Sequence, residues 1–217
     1  MTKTRVLIAD DHKILREGLR HIVQDDLHLE VVALASDGRS AVALASELHP
    51  DLIVMDVSMP DLNGIEATRQ ILQSSPQMKV IALSMHTRKE FVSNMLKAGA
   101  SAYLLKDCAV DELGEAIRHV LANKIYISPD IAGVMVEDYL RYLEEPADHS
   151  PVKLTPKERE VLQLIAEGKS TKEAAEILKT SVSTIETHRQ HVMEKLNLHS
   201  VAELTKYAIR EGLTSLE

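Results

Sequence analysis

The sequence predicts a doubly wound α/β domain with a five-stranded parallel sheet, followed by a small all-α domain of four helices. Three observations predict it. Residues 1–125 alternate short apolar runs with amphipathic stretches five times. An acidic segment with two prolines, Glu144-Glu-Pro-Ala-Asp-His-Ser-Pro151, interrupts that pattern. Beyond it, residues 152–217 carry helix signals and no strand signal. The expected organisation is a first domain over 1–125, a linker helix and acidic tether over 126–151, and a second domain over 152–217.

The apolar runs at 5–9, 30–35, 52–56, 80–84 and 102–106 read as strands. Each precedes a helical pattern, at 14–24, 38–48, 65–74, 90–98 and 110–123. Five strand–helix pairs imply a parallel sheet covered on both faces. Right-handed crossovers narrow the strand order to one such as 2-1-3-4-5. Strands 1 and 3 are then neighbours, and ligands bind at the carboxyl ends of such strands. Ser128-Pro129 starts a further helix, with Pro in its first turn. Ile131, Val134, Met135, Tyr139 and Tyr142 recur along it at helical spacing.

In the last third, Thr155-Pro-Lys-Glu158 and Ser170-Thr-Lys-Glu173 are capping boxes that open two helices. Gly168 ends the first of them. Lys179-Thr-Ser-Val182 makes a short turn into a helix over 183–196, and a last helix runs from about 201 to 211. Two of these helices joined by a tight turn give the outline of a helix-turn-helix.

Bulk composition bounds the function. Hydrophobic residues make up 45% of the 217, which supports packed cores and argues against wholesale disorder. No stretch approaches the ~20 apolar residues that span a bilayer, and the chain enters its first strand without a signal-peptide core. Cys108 is the only cysteine, which suits a reducing compartment. A cytoplasmic protein without membrane partners is expected. The net charge of −8 is uneven: −3 over 1–125, −5 over 126–150 and zero over 151–217. A neutral C-terminal third does not by itself predict nucleic-acid binding.

The chemistry lies at the strand ends. Asp10 and Asp11 close the first run, Asp56 the third, Ser84 the fourth and Lys106 the fifth. Three acids, a hydroxyl and an ammonium on one sheet edge read as a site for Mg²⁺ and a phosphoryl group. Mg²⁺ takes octahedral oxygen ligands and keeps several waters. Asp10, Asp11, Asp56 and the backbone carbonyl of Ser58 are the expected ligands. Asp56 is the natural nucleophile, since carboxylates form acyl phosphates. Lys106 and Ser84 would meet the charge on the phosphoryl oxygens. Taken singly, Asp11 or Asp56 equally reads as a helix cap, Lys106 as a solvated charge and Ser84 as a turn former.

Five stretches carry a family resemblance: Val6-Leu-Ile-Ala-Asp-Asp-His12, Asp51-Leu-Ile-Val-Met-Asp56, Met59-Pro-Asp-Leu-Asn-Gly64, Ala82-Leu-Ser84, and Lys97-Ala-Gly-Ala-Ser-Ala-Tyr-Leu-Leu-Lys106. Residues 1–125 resemble a two-component receiver domain, a flavodoxin-like fold. The resemblance implies phosphorylation of Asp56 by a sensor histidine kinase and Mg²⁺ held by Asp10 and Asp11. It also implies a coupled movement of Ser84 and Tyr103 on activation; by pattern alone Tyr103 is half-buried strand packing. One departure is Asp107, where many receivers have proline after a cis peptide. A cis bond to a non-proline residue costs roughly 2.5–4 kcal/mol, and Asp107 is expected to face solvent.

In the helix over 183–196, Ile185, Val192 and Leu196 fall on one face. Ser183, Thr187, Gln190 and Glu194 fall opposite, flanked by Glu186 and His191. The polar face suits a DNA major groove, with Gln190 and Thr187 as base readers; a solvated face is the plainer alternative. Thr171, Lys172, Lys169, Arg189 and Lys195 are phosphate candidates. Leu154-Thr-Pro-Lys-Glu-Arg-Glu-Val-Leu162, Ile165-Ala-Glu-Gly-Lys-Ser170, Thr184-Ile-Glu-Thr-His-Arg189 and Met193-Glu-Lys-Leu196 resemble the LuxR-type helix-turn-helix. With the receiver, the chain is similar to the NarL/FixJ class of response regulators. That resemblance implies Glu186, Thr187 and Gln190 facing bases, promoter DNA as partner, and a homodimer formed on phosphorylation. Lys179 departs from the glycine common in the turn, so a different turn is expected there. A metal-dependent phosphohydrolase needs a dedicated acid/base, and a nucleotide-binding enzyme a glycine-rich phosphate loop; the sequence offers neither. A regulator, not an enzyme, is the expected product of this chain.

Overall fold

The computed structural model describes residues 3–144 and 154–215. The chain divides into two compact units, with the boundary after Glu145. The first unit runs β1 (Thr4–Ala9), α1 (Lys13–Gln24), β2 (Leu29–Ala35), α2 (Gly38–Leu48), β3 (Leu52–Asp56), α3 (Gly64–Ser74), β4 (Lys79–Ser84), α4 (Lys89–Ala98) and β5 (Ala102–Leu105). A 3-10 turn (Lys106–Cys108), α5 (Ala109–Leu121), β6 (Tyr126–Ile127) and α6 (Pro129–Glu144) complete it. All pairings are parallel, in the order β2-β1-β3-β4-β5-β6.

Alternation along each strand sends side chains to two cores. Leu7, Ile53, Met55, Ala82 and Tyr103 face α2, α3 and α4, through residues such as Ala41, Ile65 and Phe91. Val6, Ile8, Val54, Leu83 and Leu104 face α1 and α5, through Leu19, Val23, Leu113 and Val120. The central strands are apolar on both faces because both faces are covered.

The expected order 2-1-3-4-5 is present and is extended by a sixth strand. Tyr126 and Ile127 are too few to give a strand signal. They join the sheet because the Tyr126 amide bonds the Ser101 carbonyl at 3.1 Å and the Ser128 amide bonds that of Tyr103 at 3.0 Å. The helix that follows, α6, anchors Ile131 in the first unit's core, with Met135 packed beside it, while Tyr139 stays 62% exposed. The expected acidic tether falls mainly on 145–153, outside the described residues.

The second unit is all helical among its described residues: α7 (Pro156–Ala166), α8 (Thr171–Ile177), α9 (Val182–Leu196) and α10 (Val201–Arg210). Val161, Leu164, Ala174, Ile185, Val192, Leu204 and Ala208 form its core. Thr155, Ser170 and Ser200 each close a capping box, with Glu158, Glu173 and Glu203. Ser181 caps α9 by accepting from the Thr184 amide, which leaves Ser183 and Glu186 free of that task. Lys179 does not make a different turn. It takes the left-handed backbone, φ 50°, that glycine would adopt at less cost. No helix among the described residues is long and apolar enough to cross a membrane.

Candidate functional site

Parallel register assembles the acidic pocket. Ala9 of β1 pairs with Met55 of β3, so Asp10 and Asp56 leave the sheet side by side. Both are buried, at 0% and 1% exposure. Lys106 enters the same space from the end of β5. Its Nζ lies 2.8 Å from Asp56 Oδ2 and 2.9 Å from Asp10 Oδ2. Asp56 Oδ1 accepts from the Ser58 amide at 3.1 Å, and Asp10 Oδ1 from the His12 amide at 2.8 Å. The Arg16 guanidinium donates to the Asp10 carbonyl.

One glycine makes this packing possible. A Cβ on Gly64 would lie 1.9 Å from the Asp56 carbonyl oxygen, a distance no side chain tolerates. The Gly64 amide instead donates to the Val57 carbonyl at 2.9 Å and holds the loop after Asp56 closed. Gly64 appeared in the sequence only as one letter of a matching stretch. The need for it comes from a backbone approach that sequence does not display.

Burial and charge oppose each other at Asp56. Its carboxyl is raised from the ordinary 3.8 to about 7, by burial above all and by Asp10, against the pull of Lys106. Burial works against the Lys106 ammonium, but Asp56 and Asp10 outweigh it and raise its pKa. The pocket thus combines a buried acid pair with one cation. Oxygens of Asp10, Asp11 and Asp56 and a ring nitrogen of His12 all lie within 4.8 Å of one another. Asp11 Oδ1 is buried with no hydrogen bond. Such an oxygen is costly unless a cation or donor satisfies it, so the residues present fit a divalent ion. Ser58, expected to lend its carbonyl, lies two residues past Asp56, and its own Oγ is buried without a hydrogen bond.

Ser84 and Tyr103 line the neighbouring strands. Ser84 is fully buried at the end of β4, and its Oγ accepts from the His86 amide at 3.0 Å. Tyr103 is not half-buried strand packing: it is fully enclosed. Its hydroxyl donates to the His86 carbonyl at 2.8 Å. Burial pushes the Tyr103 phenol up, against a hydrogen bond with Ser84. The His86 ring stacks on Phe91 with centroids 4.3 Å apart. Asp107 is exposed, and no cis peptide occurs among the described residues.

On α9, Ser183, Glu186, Thr187 and Gln190 are exposed, and Arg189 partly so, while Ile185 and Val192 are buried. The Thr187 hydroxyl donates to the Ser183 carbonyl at 2.9 Å, and Gln190 Nε2 to Glu194 Oε1 at 2.8 Å. Lys172 is exposed and Thr171 partly exposed at the start of α8. The Ser170 hydroxyl accepts from the Glu173 amide, closing the capping box that its spacing predicts. Lys195, a phosphate candidate, already has a partner within the domain. Its Nζ lies 2.8 Å from both Glu158 carboxylate oxygens. Glu158 is 3% exposed and also closes the α7 cap, so it needs this cation. Burial would raise the Glu158 carboxyl, but bonds from Lys195 and Thr155 outweigh it and hold it below the usual range. The partners are 37 residues apart, beyond what local spacing reveals.

Comparison with known proteins adds an independent line. A family model for the response regulator receiver domain matches residues 6–118. A second, for bacterial regulatory proteins of the luxR family, matches residues 152–208. The chain is 36% identical to the transcriptional regulatory protein DegU of Brevibacillus brevis, covering 97% of this chain and 94% of that one. It is 38% identical to the response regulator UvrY of Escherichia coli K12, covering 98% and 96%. Among solved structures, one of two RcsB dimers bound to two parallel DNAs is similar, with 27% identity and a TM-score of 0.58, covering 97% of this chain and 99% of that one.

Proposed function

The chain belongs to the two-component response regulators that join a receiver domain to a LuxR-type DNA-binding domain, and from that premise we propose that a phosphoryl group on Asp56 controls its binding to promoter DNA. The family is one of DNA-binding transcriptional regulators, not enzymes. In this reading residues 1–125 are the phosphoacceptor domain, 126–151 the connecting helix and tether, and 152–217 the DNA-binding domain.

The observation that carries the proposal is the placement of Asp56. It is a buried carboxylate at a strand end, bonded to Lys106 and next to Asp10. An Asp56 oxygen attacks the phosphorus of a phosphohistidine on a sensor histidine kinase. The new acyl phosphate P–O bond forms as the P–N bond breaks, and its electron pair goes to the leaving imidazole. Asp10, Asp11, Asp56 and the Ser58 carbonyl are the ligands for Mg²⁺, which when bound supplies positive charge to the phosphoryl oxygens. Lys106 adds a second positive charge from the neighbouring end of β5, on the same sheet edge. The Ser84 hydroxyl turns to the phosphoryl group, and Tyr103, already inside with its hydroxyl on the His86 carbonyl, stabilises the resulting loop position.

On the second unit, Glu186, Thr187 and Gln190 meet the bases. Thr171, Lys172, Ser183 and Arg189 contact the backbone. Gln190 must exchange its bond to Glu194 for one to a base, and Lys195 is first of all the partner of Glu158. The DNA-bound dimers of a similar protein support a homodimer on DNA, spanning two half-sites; in this reading phosphorylation of Asp56 is what promotes it. A cytoplasmic setting, shared with promoter DNA, completes the proposal.

The test is incubation of the purified chain with a small phosphodonor and Mg²⁺, read by intact mass. Wild type gains one phosphoryl group and Asp56→Asn gains none. Equal labelling of the two, or none of wild type, contradicts the assignment of Asp56.

A further inference from the structure

The start of α6 is fastened to the strand that leads into Lys106. The Ser128 amide donates to the Tyr103 carbonyl at 3.0 Å, beside the short β5–β6 ladder. Ser128 is buried, at 1% exposure. Its hydroxyl accepts from the Leu105 amide at 3.4 Å and donates to the Glu112 carboxylate of α5. A serine at a helix start ordinarily turns its hydroxyl to an amide of its own helix. Ser128 turns it to β5 and α5 instead, so one side chain joins three elements.

The first turn of α6 depends on this residue. The Ile131 and Ala132 amides both donate to the Ser128 carbonyl, at 2.9 and 3.0 Å. Ile131 is fully buried, in the core that also holds Tyr103, Phe91 and Met95. The grip on α6 is short, because Val136, Tyr139 and Leu140 are exposed. Tyr103 is in turn held at two points: its hydroxyl on the His86 carbonyl and its own carbonyl by Ser128.

We propose that Ser128 is a latch between the Asp56 pocket and the connecting helix, released when Asp56 is phosphorylated. The inference rests on reading Asp56 as the phosphoacceptor. Leu105 immediately precedes Lys106, whose ammonium is committed to Asp56 and Asp10. A phosphoryl group brings new negative charge and re-aims that ammonium, and the Leu105 backbone moves with it. The 3.4 Å bond to Ser128 is already longer than an ordinary hydrogen bond, so it yields first. A buried hydroxyl that loses a partner is costly, and the first turn of α6 loosens in response. Because α6 leads to the second unit, its order sets how freely that unit meets DNA.

The test is amide-resolved hydrogen exchange of the full chain, with promoter affinity measured alongside, before and after treatment with phosphodonor and Mg²⁺. In wild type, treatment speeds exchange at the Ile131 and Ala132 amides. Ser128→Ala exchanges fast there before treatment. So does Glu112→Ala, which removes the acceptor on α5 without opening a core. Both are labelled on Asp56 as wild type is. Substitutions that disrupt coupling between sites change it at least about twofold, and both variants lower the ratio of treated to untreated affinity by that much or more. Val120→Ala, in the core on the other face of the sheet, weakens the same unit and keeps the wild-type ratio. An unchanged ratio in either latch variant overturns the inference, as does an equal fall in Val120→Ala. Exchange at Ile131 and Ala132 that ignores phosphorylation of wild type overturns it too. Absence of label on wild-type Asp56 overturns the phosphoacceptor reading and the latch with it.

Discussion

Asp56 carries a strong electrostatic tension. Its carboxylate is buried beside Asp10 and is offset by a single ammonium, Lys106. A carboxyl whose pKa rises on folding holds its proton more tightly in the folded chain. The metal-free protein therefore gains stability from Asp56 at low pH and loses it as pH climbs from about 4 through about 7. Asp56→Asn has no such proton to lose. The melting temperature of Asp56→Asn relative to wild type, in chelator, is thus expected to rise between pH 5 and pH 8. A difference that stays flat across that range contradicts the electrostatic account. Divalent metal should narrow the difference at high pH, because it binds only the wild-type carboxylate cluster fully. The residues of this tension were legible in sequence, since a strand end fixes where Asp10, Asp56, Ser84 and Lys106 must go. Gly64 and the Glu158–Lys195 pair were not. The first answers to a carbonyl 1.9 Å from an absent Cβ, and the second joins residues far apart in the chain.

Elements were legible where a periodic face or a cap defines them. Thr155 and Ser170 mark their helices because serine or threonine followed three residues later by glutamate satisfies two backbone amides reciprocally. Strand β6 was not legible, because two residues show no period and only their backbone bonds reveal them. The turn between α8 and α9 was misjudged for another reason. A lysine disfavours the left-handed region, yet Lys179 takes φ 50° at the end of α8. A left-handed residue costs roughly 1–2 kcal/mol relative to glycine, part of which glycine returns through its freer unfolded chain. Lys179→Gly should therefore stabilise the second unit by about 0.5–1 kcal/mol. A β-branched residue there should destabilise it. Thermal unfolding followed on the helical signal of that unit checks the sign, and a loss of stability in Lys179→Gly would mean that the lysine side chain itself supports the turn.

At the scale of the whole chain, two units each enclose a core of their own. One holds the acidic pocket around Asp56 and the other the polar face of α9. Two domains and their kinds were readable from the switch in period and from the acidic, proline-containing segment between them. Charge was a weaker guide, because a neutral C-terminal third conceals a helix whose exposed face is polar rather than basic. Phosphorylation can act on α9 only by shifting an equilibrium of the whole chain. The decisive measurement is the affinity of the full chain for a promoter fragment selected from genomic DNA, at fixed salt, before and after treatment with phosphodonor and Mg²⁺. Wild type should bind about tenfold more tightly after treatment, within the usual range of allosteric coupling, and Asp56→Asn should not change. Equal affinity of the phosphorylated and unphosphorylated wild-type protein would contradict the account.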